Sequence, residues 1–139
     1  MTLHVEVLMP DRSLWSGEAG LVIAKTIDGD IGVLTGHSPV FGILSPGSLV
    51  RIQPEASDDQ SGDQSGEVQA AVRDGFLSVT NDRVSILASV GQLADDVEVS
   101  AARADLDAAS AEAGSPAAVE ESVEVRFARA QLRAAGEQA

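Results

Sequence analysis

The sequence predicts two structural classes in one chain: an N-terminal all-β sandwich of about ten short strands over residues 1–93, and a C-terminal two-helix antiparallel hairpin over residues 94–139. Two observations predict this division. Up to residue 93, short runs of apolar residues alternate with polar ones and end at turn residues, which is typical of strands. After residue 93, the apolar spacing changes to that of a helix.

The first half of the chain divides into strands at its turn residues. Residues 3–9, LHVEVLM, alternate with a period of two, and the stretch Ser16-Gly17-Glu18 is expected to separate two further apolar runs. Residues 76–80 and 84–88 flank Asn81-Asp82-Arg83. This spacing predicts a tight hairpin, because Asn and Asp tolerate the left-handed conformations that such turns require.

An uncharged strip, IGVLTGHSPVFGILSPGSLV, occupies residues 31–50. Its apolar residues are expected to belong to strands of the sandwich core, and its Gly and Pro residues are expected to set the turns between them. Trp15 is expected to be an anchor in the core or at its edge. A polar, acidic segment at about 54–67 predicts a solvated loop.

Two helices are predicted after residue 93. The first is expected to be capped by Asp95 or Asp96 and to end near Ala113. The second is expected over residues 116–135, capped by Ser115 and ended by Gly136.

Both predicted helices have weak apolar faces. The first face consists of Val97, Ala101, Ala104 and Ala108, and the second of Val119, Val123, Phe127 and Ala130. Burial of a methylene-sized group contributes only about 0.8 kcal/mol, and short isolated helices are marginal in water. We therefore expect the hairpin to lean on the sandwich or on a partner. A conformational switch and a frayed tail both fit this composition.

Composition excludes several classes of function. The net charge of −13, from 22 acidic and 9 basic residues, opposes binding to nucleic acid and to anionic lipid. The chain has no cysteine, and its two histidines, His4 and His37, are far apart, so we expect no metal site. The sequence shows no secretory signal and no apolar run of membrane-spanning length, which predicts a cytoplasmic protein without membrane insertion.

No catalytic motif stands out. Ser38 follows His37, but the sequence has no GxSxG nucleophile elbow, and Pro39 follows the serine at once. No phosphate loop of the GxxxxGK[ST] type occurs. His37 lies in a turn, where it is expected either to fix the loop by a hydrogen bond or to contact a partner. The sequence predicts no catalytic residues and no cofactor.

The order of these features resembles the epsilon subunit of F-type ATP synthases, in particular short actinobacterial forms. The resemblance is carried by DGDIGVLTGHSPVFGILSPGSL at 28–49 and DGFLSVTNDRVSILA at 74–88. It implies a non-catalytic central-stalk subunit that binds the gamma subunit and the ring of c subunits and couples proton-driven rotation to ATP synthesis. It also implies a peripheral position on the cytoplasmic face of the plasma membrane.

The resemblance implies roles for particular residues. Asp28 and Asp30 would meet basic groups of the c ring, with His37 nearby. The hairpin of the family can extend and inhibit ATP hydrolysis, and Arg126, Arg129 and Arg133 would then contact the catalytic alpha and beta subunits. A solvated basic helix end is the alternative for these arginines.

Some family members bind ATP through an I/L-D-x-x-R-A motif at the start of the first helix. Placed on VEVSAA at 97–102, the motif has Ala101 in place of its arginine, so ATP binding is not expected. The alternative to the stalk interpretation is a stand-alone β-sandwich module that binds protein and carries a helical interaction tail.

Overall fold

The computed structural model describes residues 2–54, 67–113, 115 and 122–136. Within these residues the chain forms nine strands, then a short 3-10 turn, then two helices. The strands are β1 Leu3–Leu8, β2 Ser13–Thr26, β3 Gly29–Val33, β4 Val40–Ile43, β5 Ser48–Pro54, β6 Val68–Val72, β7 Gly75–Thr80, β8 Arg83–Ala88 and β9 Gly91–Leu93. The 3-10 turn is Ala94–Asp96, and the helices are α1 Val99–Ala113 and α2 Val123–Ala134.

The strands form one hydrogen-bonded path in the order β4-β7-β8-β1-β2-β5-β6-β9, with β3 paired to β2. β2 belongs to both halves of this path. Its first half pairs with β1, and its second half pairs with β3 and β5. Residues from both halves join a single buried cluster, so the path folds back on itself as a sandwich.

The core of the sandwich is aliphatic, as the sequence predicts. Leu3, Val5 and Val7 of β1 are fully buried and alternate with half-buried residues. Val84 and Ile86 of β8 are also fully buried, and β8 lies parallel to β1. This alternation places one face of each strand on the shared core.

The predicted hairpin is confirmed. β7 and β8 pair from Gly75 with Ala88 to Thr80 with Arg83, so the turn between them has two residues. Those residues are Asn81, with φ 50°, and Asp82, with φ 60°. Left-handed conformation at both central positions matches the twist of the flanking strands.

The prediction of a break at Ser16-Gly17-Glu18 is wrong. β2 runs without interruption through these residues. Gly17 lets the Trp15 ring lie close over the strand: a β-carbon on Gly17 would lie 2.9 Å from Trp15 Cη2. The ring also packs against the core, which agrees with the anchor expected from the sequence.

The predicted start and face of the first helix are wrong. α1 begins at Val99, and Asp95 and Asp96 lie in the preceding 3-10 turn. Ala101, Ala104 and Ala108 of the predicted face are exposed, and Val97 precedes the helix. The inward positions are Val99, Ala102, Leu106, Ala109 and Ala113, of which Ala102 is fully buried. An alanine-rich helix shows little contrast between its faces, so its phase depends on a few larger residues such as Leu106.

The second helix also begins later than predicted. Ser122 is extended, and its Oγ accepts the Val125 N–H at 3.3 Å, so Ser122 and not Ser115 caps the helix. The predicted residues 116–121, including Val119, lie outside the described residues. The predicted C-terminal end of the helix is confirmed, because Gly136 has φ +85° and donates its N–H to the Arg133 carbonyl oxygen at 3.0 Å.

The acidic segment at 55–66 lies outside the described residues, but the strand ends that flank it are joined. Arg51 donates from Nε and Nη2 to the two carboxylate oxygens of Glu67, each at 3.1 Å. The hydrogen bond from Arg51 holds the pKa of Glu67 below its ordinary value, and Glu67 in turn raises the pKa of Arg51. The pair ties the middle of β5 to the residue just before β6.

Candidate functional site

An exposed apolar surface covers the outer side of β4, β7 and β8. Ile43, Phe76 and Leu87 stand side by side on the three strands. Phe41 extends the row and lies over Phe76, with ring centroids 5.1 Å apart. We call these four residues the apolar face. Phe41 is 65% exposed and Ile43 is 52% exposed, values unusual for large apolar side chains in a sheet.

The sequence analysis assigned Phe41 and Ile43 to the core, and that prediction is wrong. Val40 and Phe41 are both apolar, as are their neighbours along β4, so the period of two does not reveal which side faces inward. Leu34, from the same strip, is likewise 58% exposed. The phenylalanine on the short edge strand β4 is the signal that could have pointed to a binding surface.

The acidic turn joins β2 to β3 at one end of the apolar face. Thr26 Oγ1 donates to the Gly29 carbonyl oxygen at 2.7 Å and accepts the Asp28 N–H at 3.1 Å. Asp28 and Asp30 are both exposed, and Asp30 stands opposite Lys25 on β2. This geometry holds the two carboxylates outward on a fixed turn.

The apolar face and the acidic turn are contiguous. The Ile27 N–H donates to the Ile43 carbonyl oxygen at 2.9 Å, and Thr26 bridges to Leu44. The Ile27 side chain is 59% exposed and extends the apolar surface up to the turn. A partner that covers Ile43 would therefore meet Asp28 at the rim of the contact.

His37 is not brought together with the two acids. β3 and β4 connect the acidic turn to the loop of His37, so this loop lies at the opposite ends of both strands. The Gly36 N–H donates to Asp82 Oδ1 at 2.6 Å, which ties the loop to the β7–β8 turn. The His37 ring donates from Nδ1 to the Ser38 carbonyl oxygen at 2.7 Å, a contact with the next residue of the same loop. Its partner is a backbone oxygen and not the Ser38 hydroxyl.

The helical hairpin lies against β5 and β6 through α2. Val125, Ala128, Ala130 and Leu132 of α2 are buried, as expected for a hairpin that leans on the sandwich. Polar contacts also join α2 to the sandwich. Arg73, after β6, pairs with Glu124 at 2.5 Å. Gln131 Nε2 donates to Gln92 Oε1 at 2.6 Å.

The three arginines predicted as regulatory contacts lie on α2. Arg126 and Arg133 are exposed and Arg129 is half-buried. Arg133 falls in the last turn, where a basic side chain complements the helix dipole. In this folded position Arg126 and Arg129 each already interact with other groups of the chain.

A cleft of about 240 Å³ lies between α1 and α2 beside Arg73. Its floor includes Phe127, and its charged lining is Asp105, Glu112, Glu124 and Arg73. Three carboxylates thus face one guanidinium, which already pairs with Glu124. The electrostatic balance of the cleft opposes a polyphosphate ligand.

The position of the nucleotide motif changes with the observed helix start. Counted from Val99, the first residue of α1, the sequence VSAARA has Arg103 at the arginine position and Ser100 at the acidic one. The arginine is therefore present in this register and the acid is absent. The charge of the cleft, and not Ala101, becomes the physical argument against ATP binding.

We predict that the isolated chain does not bind ATP at millimolar concentration, because the cleft carries a net negative charge. Calorimetric titration with Mg-ATP should give no saturable heat. Asp105→Asn with Glu112→Gln, which removes two of the opposing charges, is the matched comparison and should bind ATP more strongly than the unaltered chain. Saturable binding by the unaltered chain that is lost in Arg103→Ala would contradict the prediction.

The described residues offer neither a metal centre nor a spanning helix. No group of three or more His, Asp or Glu side chains within residues 2–54, 67–113, 115 and 122–136 is arranged to hold a metal ion. Over the same part of the chain, no helix is long and apolar enough to cross a membrane.

A rigid sandwich with an exposed aromatic and aliphatic face, an acidic turn at its rim and a docked helical hairpin defines a protein that works by binding other proteins. Comparison with known proteins assigns the family. Residues 2–94 match the family model described as the beta-sandwich domain of the ATP synthase delta/epsilon chain. The chain belongs to this family, whose epsilon chains are non-catalytic subunits of the rotary ATP synthase.

Similarity to individual relatives extends over most of the chain. The ATP synthase epsilon chain of Thermobifida fusca is 48% identical over 134 residues, which cover 96% of this chain and 91% of the relative. The epsilon chain of Streptomyces griseus is 40% identical over 131 residues, covering 94% of this chain and 97% of the relative. Both are actinobacterial, as the sequence resemblance predicts.

Solved structures confirm the fold. A chain in the cryo-EM structure of the Euglena gracilis mitochondrial ATP synthase (OSCP/F1/c-ring, rotational state 1) aligns with a TM-score of 0.74 at 18% identity. The alignment covers 98% of this chain and 82% of that one. A chain of the Tetrahymena thermophila central stalk and c ring aligns with a TM-score of 0.53 at 14% identity, covering 70% of this chain and 71% of that one. The sandwich followed by two helices is therefore the shared architecture.

Proposed function

We propose that this chain joins the gamma subunit to the c ring in the central stalk of an F-type ATP synthase, where it couples proton-driven rotation to ATP synthesis. It would lie peripherally on the cytoplasmic face of the plasma membrane. The observation that carries the proposal is the contiguity of the apolar face and the acidic turn on one sandwich. A single rigid body with two adjoining contact surfaces suits a joint between two partners.

The apolar face is assigned to gamma. Its four side chains expose aromatic and aliphatic groups on paired strands, and such groups form the desolvated centre of stable protein interfaces. Phe41 is the expected anchor, because it is the most exposed of the large apolar side chains among the described residues and is supported from below by Phe76.

Replacement of the anchor should weaken gamma binding without unfolding the sandwich. Phe41→Ser is expected to cost about 1–2 kcal/mol of binding free energy, or roughly tenfold in affinity for the purified gamma subunit. Val90→Ser is the matched control, since Val90 is also an exposed apolar residue but lies outside the apolar face. Calorimetric titration of each variant with gamma measures the difference. An affinity for gamma unchanged in Phe41→Ser would exclude the apolar face as its binding surface.

The acidic turn is assigned to the c ring. Asp28 and Asp30 are exposed on a turn whose backbone is fixed by Thr26, so their charges reach a partner without reordering. Charges at the rim of an interface mainly set register and the rate of association. His37, at the far end of β4, stays a predicted interface residue and is separate from this acidic pair.

Reversal of both charges should uncouple the motor in part. Asp28→Lys with Asp30→Lys is expected to lower the proton transport obtained per ATP hydrolysed in membrane vesicles that carry the assembled enzyme. Because Asp30 faces Lys25 across the strands, Asp28→Asn with Asp30→Asn tests the same charges without a new repulsion. Asp11→Lys with Glu18→Lys makes an equal charge change at exposed positions elsewhere. Coupling that falls equally in this control, or stays unchanged in both test variants, would refute the assignment.

The hairpin is assigned a regulatory role. We propose that, when it leaves the sandwich, Arg126, Arg129 and Arg133 contact acidic surfaces of the catalytic alpha and beta subunits and slow ATP hydrolysis. Their spacing of three and four residues on α2 places them on neighbouring helical positions, which supports joint contact with one surface.

Removal of the hairpin tests this role. The assembled enzyme containing a chain that ends at Leu93 should hydrolyse ATP faster than the enzyme with the full chain. The triple variant Arg126→Ala, Arg129→Ala, Arg133→Ala should raise the rate in the same direction while it keeps the helices. Equal hydrolysis rates with the full and the shortened chain would eliminate an inhibitory hairpin.

A further inference from the structure

The beginning of α2 rests on two turn residues of the sandwich. Gly47 lies between β4 and β5, and Arg73 lies between β6 and β7. The Gly47 N–H donates to the Arg73 carbonyl oxygen at 2.8 Å, and the Arg73 N–H donates to the Val90 carbonyl oxygen at 2.9 Å. We call Gly47 and Arg73 the helix seat, because their backbones are bonded to each other and both contact α2.

Contact at Gly47 is a backbone-to-backbone approach. Gly47 has φ +64°, and a β-carbon added there would lie 2.6 Å from the Phe127 nitrogen and would also overlap Arg126 Cβ. The Phe127 nitrogen belongs to the helix backbone and cannot move alone. Any side chain at position 47 would therefore displace the helix as a whole.

Contact at Arg73 is electrostatic. Its guanidinium pairs with Glu124 in the first turn of α2, and the two side chains are 41% and 58% exposed. An exposed pair of this kind adds little to the strength of docking. It does fix which residue of α2 faces the β6–β7 turn, because the pair forms only where Glu124 lies beside Arg73.

The apolar contacts of α2 supply strength but little direction. Val125, Ala128 and Leu132 are fully or almost fully buried, and burial of apolar area is non-directional. Small aliphatic side chains on a sheet surface let a helix pack in neighbouring positions that have similar free energies. The helix seat distinguishes among them, since the close approach at Gly47 and the ion pair at Arg73 are satisfied together in one position.

We propose that the helix seat selects the folded-down position of the hairpin and controls its release. Disturbing either contact of the seat should raise the ratio of undocked to docked α2 while the sandwich stays folded. The selection itself is a property of the isolated chain. Its consequence for catalysis rests on the regulatory function proposed above.

Docking is measured in the full chain by a pair of fluorescent labels. The chain has no cysteine, so Ser16→Cys on β2 and Ala104→Cys on α1, both exposed, accept labels at defined positions. Energy transfer between the labels should show one short distance in the otherwise unaltered chain. Gly47→Ala is expected to raise the ratio of undocked to docked molecules by about tenfold or more, the effect of overpacking a close contact.

Gly36→Ala is the matched control for Gly47→Ala. Gly36 also has positive φ, at +83°, but a β-carbon there would meet nothing within 4 Å. The two variants thus share the backbone strain, and only one of them blocks the helix. Undocking in Gly47→Ala alone supports the seat. Energy transfer that is the same in Gly47→Ala and the parent chain, or equal undocking in both glycine variants, would overturn it.

Glu124→Lys tests the second half of the seat without altering the sandwich. It is expected to raise the undocked ratio about threefold to tenfold, with the increase reduced in 1 M salt because the charges are exposed. Glu112→Lys makes the same charge change in the same cleft and should leave docking nearer to that of the parent. An equal effect of both variants would overturn the role of Arg73.

The assembled enzyme separates this proposal from the regulatory one. Gly47→Ala in the full chain should slow ATP hydrolysis, and the same substitution in a chain ending at Leu93 should not. If the labels report undocking but hydrolysis is unchanged, the helix seat stands and the inhibitory function is wrong. If the labels report no undocking in Gly47→Ala and Glu124→Lys, the helix seat is wrong whatever the hydrolysis rate.

Discussion

The arrangement of this protein depends on one long strand that belongs to both halves of the sandwich. β2 is hydrogen-bonded to β1 along its first half and to β3 and β5 along its second. Its inward residues Ala19, Val22 and Ala24 lie in the shared core. The acidic turn is the direct continuation of β2, the apolar face is reached through β1 and β8, and the hairpin rests on β5 and β6. Displacement of one contact surface relative to another would require broken ladder hydrogen bonds or an opened core.

The high net charge and the exposed apolar side chains are compatible because of where each lies on the surface. A net charge of −13 keeps the chain soluble through mutual repulsion, although large apolar side chains are exposed on β4 and β7. Among the described residues the acids Asp28 and Asp30 border this face at one end, so a partner with apolar and basic groups in adjacent positions is favoured over a second copy of the chain. The same charge distribution extends to the cleft between the helices, where it disfavours anions.

Much of the fold follows from local sequence. The alternation in β1 and the two left-handed residues at Asn81 and Asp82 were both predictable, because each depends on near neighbours. The phase of α1 was not, since alanine occupies inward and outward positions alike and only a few larger residues, such as Leu106, distinguish them. The cap of α2 at Ser122 was also missed, because Ser115 followed by Pro116 is an equally good local capping sequence.

The site was less predictable because it depends on contacts between distant residues. Asp28 and Asp30 could be chosen from the sequence as exposed charges on a turn, and their exposure agrees with the structure. Phe41 could not, since β4 is apolar on both sides and its inward side is decided by pairing with β7. His37 is close to Asp30 in sequence, yet the length and direction of β3 carry it away. The contact of Arg73 with Glu124 joins residues 51 positions apart, and no local pattern indicates it.

The tie between Arg51 and Glu67 has a consequence for how this chain can vary. Two parallel hydrogen bonds join β5 to the residue just before β6. The two strands are therefore held together by residues of the sandwich itself. Both partners of this pair lie outside residues 55–66, so a change in the length of that segment does not remove either of them. The segment is therefore a suitable place to attach a probe for observing the rotor.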